Sequence, residues 1–121
     1  MIGPVTYGVN VAGVALTGKN CGDLSVIPGV EGMASFDPAT NTISLGNATI
    51  TGNVAVNSMI PDLKIMLIGE NNFISSDKGI CTIGALTVLG PGTLNIKAKN
   101  DGIMTVASPV VIDGAKVSNQ C

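Results

Sequence analysis

Apolar residues in this chain come in short bursts that alternate with polar ones, and the bursts themselves recur. Ile43-Ser44-Leu45-Gly46, Ile65-Met66-Leu67-Ile68-Gly69, Leu86-Thr87-Val88-Leu89-Gly90 and Val110-Val111-Ile112-Asp113-Gly114 each run an apolar stretch up to a glycine or just short of it. Gly46, Gly69, Gly90 and Gly114 are separated by 23, 21 and 24 residues. A period of this length predicts a solenoid in which each repeat is one coil stacked on the last. Period-two alternation predicts strands within each coil, and no stretch combines helical periodicity with good helix formers over more than a turn or two. The two C-terminal coils align best: Lys78-Gly79-Ile80-Cys81-Thr82-Ile83 leads into Leu86–Gly90, and Asp101-Gly102-Ile103-Met104-Thr105-Val106 leads into Val110–Gly114. Gly79 to Gly102 and Ile80 to Ile103 are both steps of 23. Ile65 and Leu67 are expected to stack under Val88 and over Ile112. The reading is all-β, a parallel β-helix of about four coils. A leucine-rich repeat has a similar period but needs a Leu-x-x-Leu-x-Leu-x-x-Asn core that no coil supplies.

The first third has no counterpart in the repeat. Val5, Tyr7, Val9 and Val11 alternate with Thr6, Gly8 and Asn10 as a strand, Ala12-Gly13 turns the chain, and Val14–Thr17 returns as a second strand. Asn20 to Leu24 is expected to make one helical turn, with Asn20 as N-cap and Asp23 in the first turn. Residues 1–33 are therefore read as a hairpin cap over the open end of the stack, and residues 34–121 as the coils, together one domain. Asp37-Pro38-Ala39-Thr40-Asn41 is a turn, since Pro presets one dihedral while Asp and Asn tolerate strained ones.

Composition narrows the core and the chemistry. Of the 121 residues, 45% are hydrophobic but only 2% aromatic, so Ile, Val, Leu and Ala must fill narrow, regular layers. Charged residues supply just 12%, leaving Gly, Asn, Ser and Thr to cover the outside. A net charge of −2 and the absence of Arg argue against nucleic-acid binding. No apolar run of about 18 residues is present, which excludes insertion of a membrane-spanning helix. The start, Met1-Ile2-Gly3-Pro4, lacks the basic and apolar regions of a signal peptide, so export would require a signal removed or lying upstream. Cys21, Cys81 and Cys121 are an odd number and define no disulfide framework.

The segment Ala34-Ser35-Phe36-Asp37-Pro38-Ala39-Thr40-Asn41-Thr42-Ile43-Ser44-Leu45-Gly46-Asn47-Ala48-Thr49-Ile50 resembles a signature of secreted and cell-surface β-helix proteins from gut and other anaerobic bacteria. In that family an aromatic-Asp-x-x-Thr-Asn-Thr-Leu turn feeds the first coil. Leu63–Ile74 and Gly90-Pro91-Gly92-Thr93-Leu94-Asn95-Ile96 look like the following coils, and the resemblance spans nearly the whole chain. It implies a right-handed parallel β-helix on an exported bacterial protein, secreted or at the cell surface, similar to domains described as carbohydrate-binding.

Candidate chemistry is sparse. Without His or Arg there is no imidazole base, no Ser-His-Asp arrangement and no guanidinium to stabilise an anion, so no catalytic residue is assigned and no enzymatic activity is expected. Asp77 and Asp101 each start an aligned coil, and stacking would bring them to about one strand spacing. Such a pair has the chemistry to hold Ca²⁺, but no dense Asp/Asn ligand loop surrounds it, and ordinary corner roles are preferred; no cofactor is assigned. Sugar binding draws on an aromatic platform and amides. Phe73 with Asn71, Asn72 and Asn95 is the candidate site for a polysaccharide or cell-surface glycan, whereas Phe36 is expected to plug the junction of cap and coils. Thr82 and Thr105 align in one rank, and Thr49 and Thr93 in another that Asn72 and Val117 interrupt. Cys81 occupies an inward or flanking apolar position that Met104 fills in the next coil, and a buried, inert thiol is expected there. Lys97 and Lys99, with Lys78 and Lys116, give mild positive character. The sequence ends soon after the last coil, from which either self-association through the C-terminal coil or a following domain is expected. A glycan-binding module and a structural or adhesive spacer without small ligand are the two functional readings.

Overall fold

The computed structural model describes residues 6–17, 22–37, 39–60, 62–105 and 110–120, with the backbone alone at 6, 7, 101, 105, 119 and 120. It is an all-β chain whose parallel strands wind into a β-solenoid of about three turns. Strands β1 (Thr6–Val11), β2 (Val14–Thr17) and β3 (Val30–Asp37) precede the long β4 (Thr42–Ser58), which forms the whole first rung. The second rung is β5 (Asp62–Ile68) and β6 (Glu70–Thr82), and the third is β7 (Ala85–Leu89), β8 (Thr93–Ala98) and β9 (Asp101–Thr105). Strands β10 (Val110–Asp113) and β11 (Lys116–Gln120) lay a fourth rung on two of the three faces.

Register defines the faces. On the first, Ile43 lies beside Ile65, Ile65 beside Val88, and Val88 beside Ile112. Ile65, Val88 and Ile112 share a column, but Val88 stands between the other two rather than Ile65, and Leu67 belongs beside Leu45 in the next column. On the second face, β4, β6, β8 and β11 pair with a constant step of 23, as in Thr49 with Asn72, Asn72 with Asn95 and Asn95 with Ser118. On the third, Val56 pairs with Ile80 and Ile80 with Ile103. The four glycines counted from the sequence do not form one column: Gly46 pairs with Ile68, and because Glu70 pairs with Thr93, Gly69 falls opposite Gly92. Their count matches the four strand layers. The four layers are joined by about three turns, and corners of unequal length shift the first-face step from 22 (Thr42 to Lys64) to 24 (Leu86 to Val110).

The first rung is closed by antiparallel strands. β1 and β2 form a hairpin through Ala12 (φ 51°) and Gly13 (φ 81°), a two-residue loop with both residues left-handed, which matches the twist of the strands it joins. β1 also runs antiparallel to the end of β4, and β3 runs antiparallel to the rest of it, from Asp37 beside Thr42 to Val30 beside Ile50. The turn at 37–41 joins β3 to β4; the Ala39 N–H donates to Asp37 Oδ1 at 2.9 Å and Asn41 takes φ 53°. Antiparallel partners end the parallel stack, so this arrangement stops further rungs from adding there. A single 3-10 turn, Leu24–Val26, is capped by Asp23, whose carboxylate accepts from the Ser25 N–H and hydroxyl. The sequence placed that cap at Asn20; Asn20, like Cys21 and Cys121, lies outside the described residues. Leu24, Ile27 and Phe36 are buried against the first rung, Phe36 beside Ile43 at the expected junction.

Candidate functional site

The second face carries the four residues singled out as a sugar site, and the alternation of its strands separates them into two pairs. Asn71 and Phe73 point inward. Phe73 is 0% exposed in a column with Ile50 and Ile96, so it is a core residue and offers no platform for a sugar ring. Asn71 is also 0% exposed, in a column with Leu94 and, on the other side, Ala48. Its amide is fully used: Oδ1 accepts from the Ala48 N–H at 2.8 Å, and Nδ2 donates to the carbonyls of Ile68 and Thr93, each at 3.3 Å. One side chain thus ties three rungs together at the corner between the first and second faces, where the bend takes backbone groups out of the ladders. Asn47 serves the same corner from outside, its Oδ1 accepting from the Glu70 N–H at 3.0 Å. Gly69 (φ +73°) lies directly against that Asn47 amide, leaving no room for a Cβ. Both Asn71 and Phe73 are therefore corrected from ligand contacts to structural residues. The step of 23 already carried the signal, since it places Phe73 between Ile50 and Ile96 and Asn71 above Leu94.

Asn72 and Asn95 point outward. With Thr49 and Ser118 they form one column that crosses four rungs, about 14 Å long at strand spacing. Asn95 Nδ2 makes long contacts, 3.4 Å each, to Asn72 Oδ1 and Glu70 Oε1. Among the described residues, Thr49 Oγ1, Asn72 Nδ2, Asn95 Oδ1 and Ser118 Oγ have no hydrogen-bond partner in the protein and face outward. Two shallow clefts lie along this column. One, of about 110 Å³, is lined by Thr49, Asn72, Phe73, Ile74, Asn95 and Lys97. The other, of about 200 Å³, is lined by Asn72, Asn95, Ile96, Lys97 and Ser118. Ile74, 45% exposed, adds an apolar strip beside Asn72 and directly above Lys97. Thr49 does not share a rank with Thr93, which pairs with Glu70 and Lys116 instead.

The two carboxylates proposed as a cation pair are not in one column. Asp101 lies beside Lys78, because the repeat steps by 23 there and the two acids are 24 apart. Asp77 falls instead opposite Asn100, whose N–H donates to the Asp77 carbonyl at 2.9 Å and whose Nδ2 donates to Oδ1 at 2.6 Å. Lys78 Nζ adds a contact at 3.2 Å. The Asn100 bond first, then Lys78, hold the Asp77 carboxyl below the usual carboxylate range. Asp77 is thus a corner ladder residue, next to Ser76, which donates to Asn53 Oδ1 at 2.5 Å. The Asp101 side chain lies outside the described residues, and no group of three or more acidic or thiol side chains comes together among the described ones. Cys81 is half-buried in a column with Asn57 and Met104, more open than the buried thiol expected there. Thr82 is buried and donates to the Gly84 carbonyl at 2.9 Å, so its rank faces the interior.

On the first face an apolar hollow of about 200 Å³ lies between Met33 and Ile68, where Gly46 contributes no side chain. Val110, Val111 and Ile112 on the last rung are 38%, 50% and 48% exposed. No helix among the described residues is long and apolar enough to cross a membrane. No known family, curated protein or solved structure matches this chain.

Proposed function

We propose that this chain is a non-catalytic β-helix module of an exported bacterial protein, secreted or at the cell surface, and that its second face binds a glycan. The observation that carries this reading is the outward column Thr49, Asn72, Asn95 and Ser118, four polar side chains in register on four rungs, each with a hydrogen-bonding group that has no partner among the described residues. The rung spacing of about 4.8 Å is comparable to the length of one sugar unit, so a linear polysaccharide lying along the solenoid axis would meet an amide or hydroxyl at each step. Exposed Ile74 supplies apolar contact for the C–H side of a ring. The resemblance to carbohydrate-binding surface proteins points the same way. Calorimetry against a panel of polysaccharides tests the proposal. We expect weak binding that falls at least about tenfold in Asn72→Ala/Asn95→Ala with the circular dichroism unchanged, the loss of several amide hydrogen bonds. A folded protein that binds no glycan at millimolar sugar concentration would refute it.

A second reading, a self-associating spacer, is favoured by the last rung. Val110, Val111 and Ile112 expose apolar surface, and β10 and β11 each have one ladder edge without a partner among the described residues. A second copy stacked on that rung would bury both. Sedimentation under reducing conditions should then show a concentration-dependent dimer that Ile112→Asp abolishes; a monomer at every concentration excludes it.

A further inference from the structure

The lysines divide by place. Lys64 pairs with Asp62 at 3.4 Å on the first face, and Lys78 pairs with Asp77 at 3.2 Å at the corner between the second and third. The remaining lysines among the described residues, Lys97, Lys99 and Lys116, have no carboxylate within ion-pair distance among those residues. All three lie on the second face or at its edge. Lys97 and Lys99 flank the buried Ala98, so both point outward and sit about 7 Å apart along the chain. Lys116 lies one rung on, in register with Thr93.

Two acids of this face lie toward its first rungs. Glu31 pairs beside Thr49 on the cap strand, and Glu70 sits at the first corner with its carboxylate near Asn95. The lysines of this face lie on the third and fourth rungs, with Glu70 and Asp77 at the two corners of the second and Asp113 just before Lys116 on the fourth. The larger cleft opens beside Lys97: Asn72, Asn95, Ile96, Lys97 and Ser118 line it, and no carboxylate does. Lysine alkyl stems cover apolar surface while the ammonium stays in water, free for a counter-ion. The Asn95 amide oxygen and the Ser118 hydroxyl, without partners among the described residues, beside an ammonium with no described carboxylate in ion-pair distance, match a sugar carrying both hydroxyls and a negative charge.

We infer that the cleft at Asn72, Asn95, Lys97 and Ser118 takes an anionic sugar unit, with its carboxylate or sulfate on Lys97 Nζ and its hydroxyls on Asn95 and Ser118. This rests on the glycan reading above and names the substrate class of the same site. Lys99 and Lys116 add long-range attraction, so binding weakens with salt as exposed charges are screened.

The test uses ligand pairs with one backbone, charged and neutral: polygalacturonate against its methyl ester, and dextran sulfate against dextran. Binding is measured by calorimetry at low salt and at about 0.3 M NaCl, where the Debye length is a few ångströms. The expected result is about three- to fivefold tighter binding of the charged member, the range of one exposed ion pair. Lys97→Gln should remove most of that preference, whereas Lys64→Gln, on another face, should leave it. Preference in the polygalacturonate pair assigns a carboxylate, in the dextran pair a sulfate, and in both an anionic sugar of either kind. Equal binding of the charged and neutral members, or a preference unchanged in Lys97→Gln, overturns the inference while leaving the glycan reading standing. Absence of binding to all four, and to the wider panel, overturns both.

Discussion

Replacing Asn71 by leucine tests what holds the corner between the first and second faces. The two side chains are nearly the same size, and the site is fully buried above Leu94, so the change removes hydrogen bonds with little change in shape. The Ala48 N–H, bonded to Oδ1 at 2.8 Å, loses its acceptor, and an orphaned buried donor costs about 2 kcal/mol. The two longer bonds to the Ile68 and Thr93 carbonyls, at 3.3 Å, contribute about 1 kcal/mol each. Against that total of about 4 kcal/mol, a buried leucine recovers about 2 kcal/mol of transfer free energy. The net destabilisation is about 2 kcal/mol for Asn71→Leu and about 4 kcal/mol for Asn71→Ala, which recovers almost nothing and leaves a cavity. At about 4 °C per kcal/mol for a chain of this size, the melting midpoint should fall by about 8 °C and 16 °C respectively. Thermal melts by circular dichroism, with urea titrations to confirm an unchanged m-value, would measure this. An Asn71→Leu protein as stable as the parent, or more so, would refute the reasoning, because the amide would then be replaceable by apolar packing.

Phe73→Ala should cost about 3–5 kcal/mol, the range for an emptied aromatic core position, while Asn72→Ala next to it should stay within about 0.5 kcal/mol. Equal costs would contradict the inward and outward assignment of that strand. Asp77 should titrate below an ordinary aspartate by NMR, and Asn100→Ala should raise its midpoint; an unchanged midpoint would remove Asn100 as the cause. Because the folded pKa is the depressed one, the Asp77 contribution to stability is present above the unfolded value of about 3.9 and is lost as pH falls through the folded value. The destabilisation by Asn100→Ala should accordingly be larger at neutral pH than in strong acid.

The solenoid was legible because its cause is local and repetitive. Strands of period two, bounded by residues that accept left-handed dihedrals, must alternate inward and outward. Alternation then turns Ile65, Val88 and Ile112 to the same side of their strands. The hairpin at Ala12-Gly13 and the turn at Asp37–Asn41 were legible for the same reason, since turn chemistry is read within a few residues. The candidate site was only half legible. Counting from glycine to glycine aligned Gly46 with Gly69, whereas the ladders pair Gly46 with Ile68. Asn71, Asn72, Phe73 and Asn95 share sugar-binding chemistry, but alternation turns Asn71 and Phe73 inward and Asn72 and Asn95 outward.

What the sequence determined by itself is the fold class, the repeat and the composition of each face, because these follow from alternation and from which residues tolerate a bend. Tertiary structure decided register, and register decided role. A shift of one residue between rungs moves a side chain from core to solvent, or sets Asp77 against Asn100 instead of Asp101. Corner lengths set that shift, and they come from how neighbouring rungs satisfy each other's backbone groups through Asn47 and Asn71. The same coupling left Asn72, Asn95 and Lys97 together on one open face, which no single segment of the chain specifies.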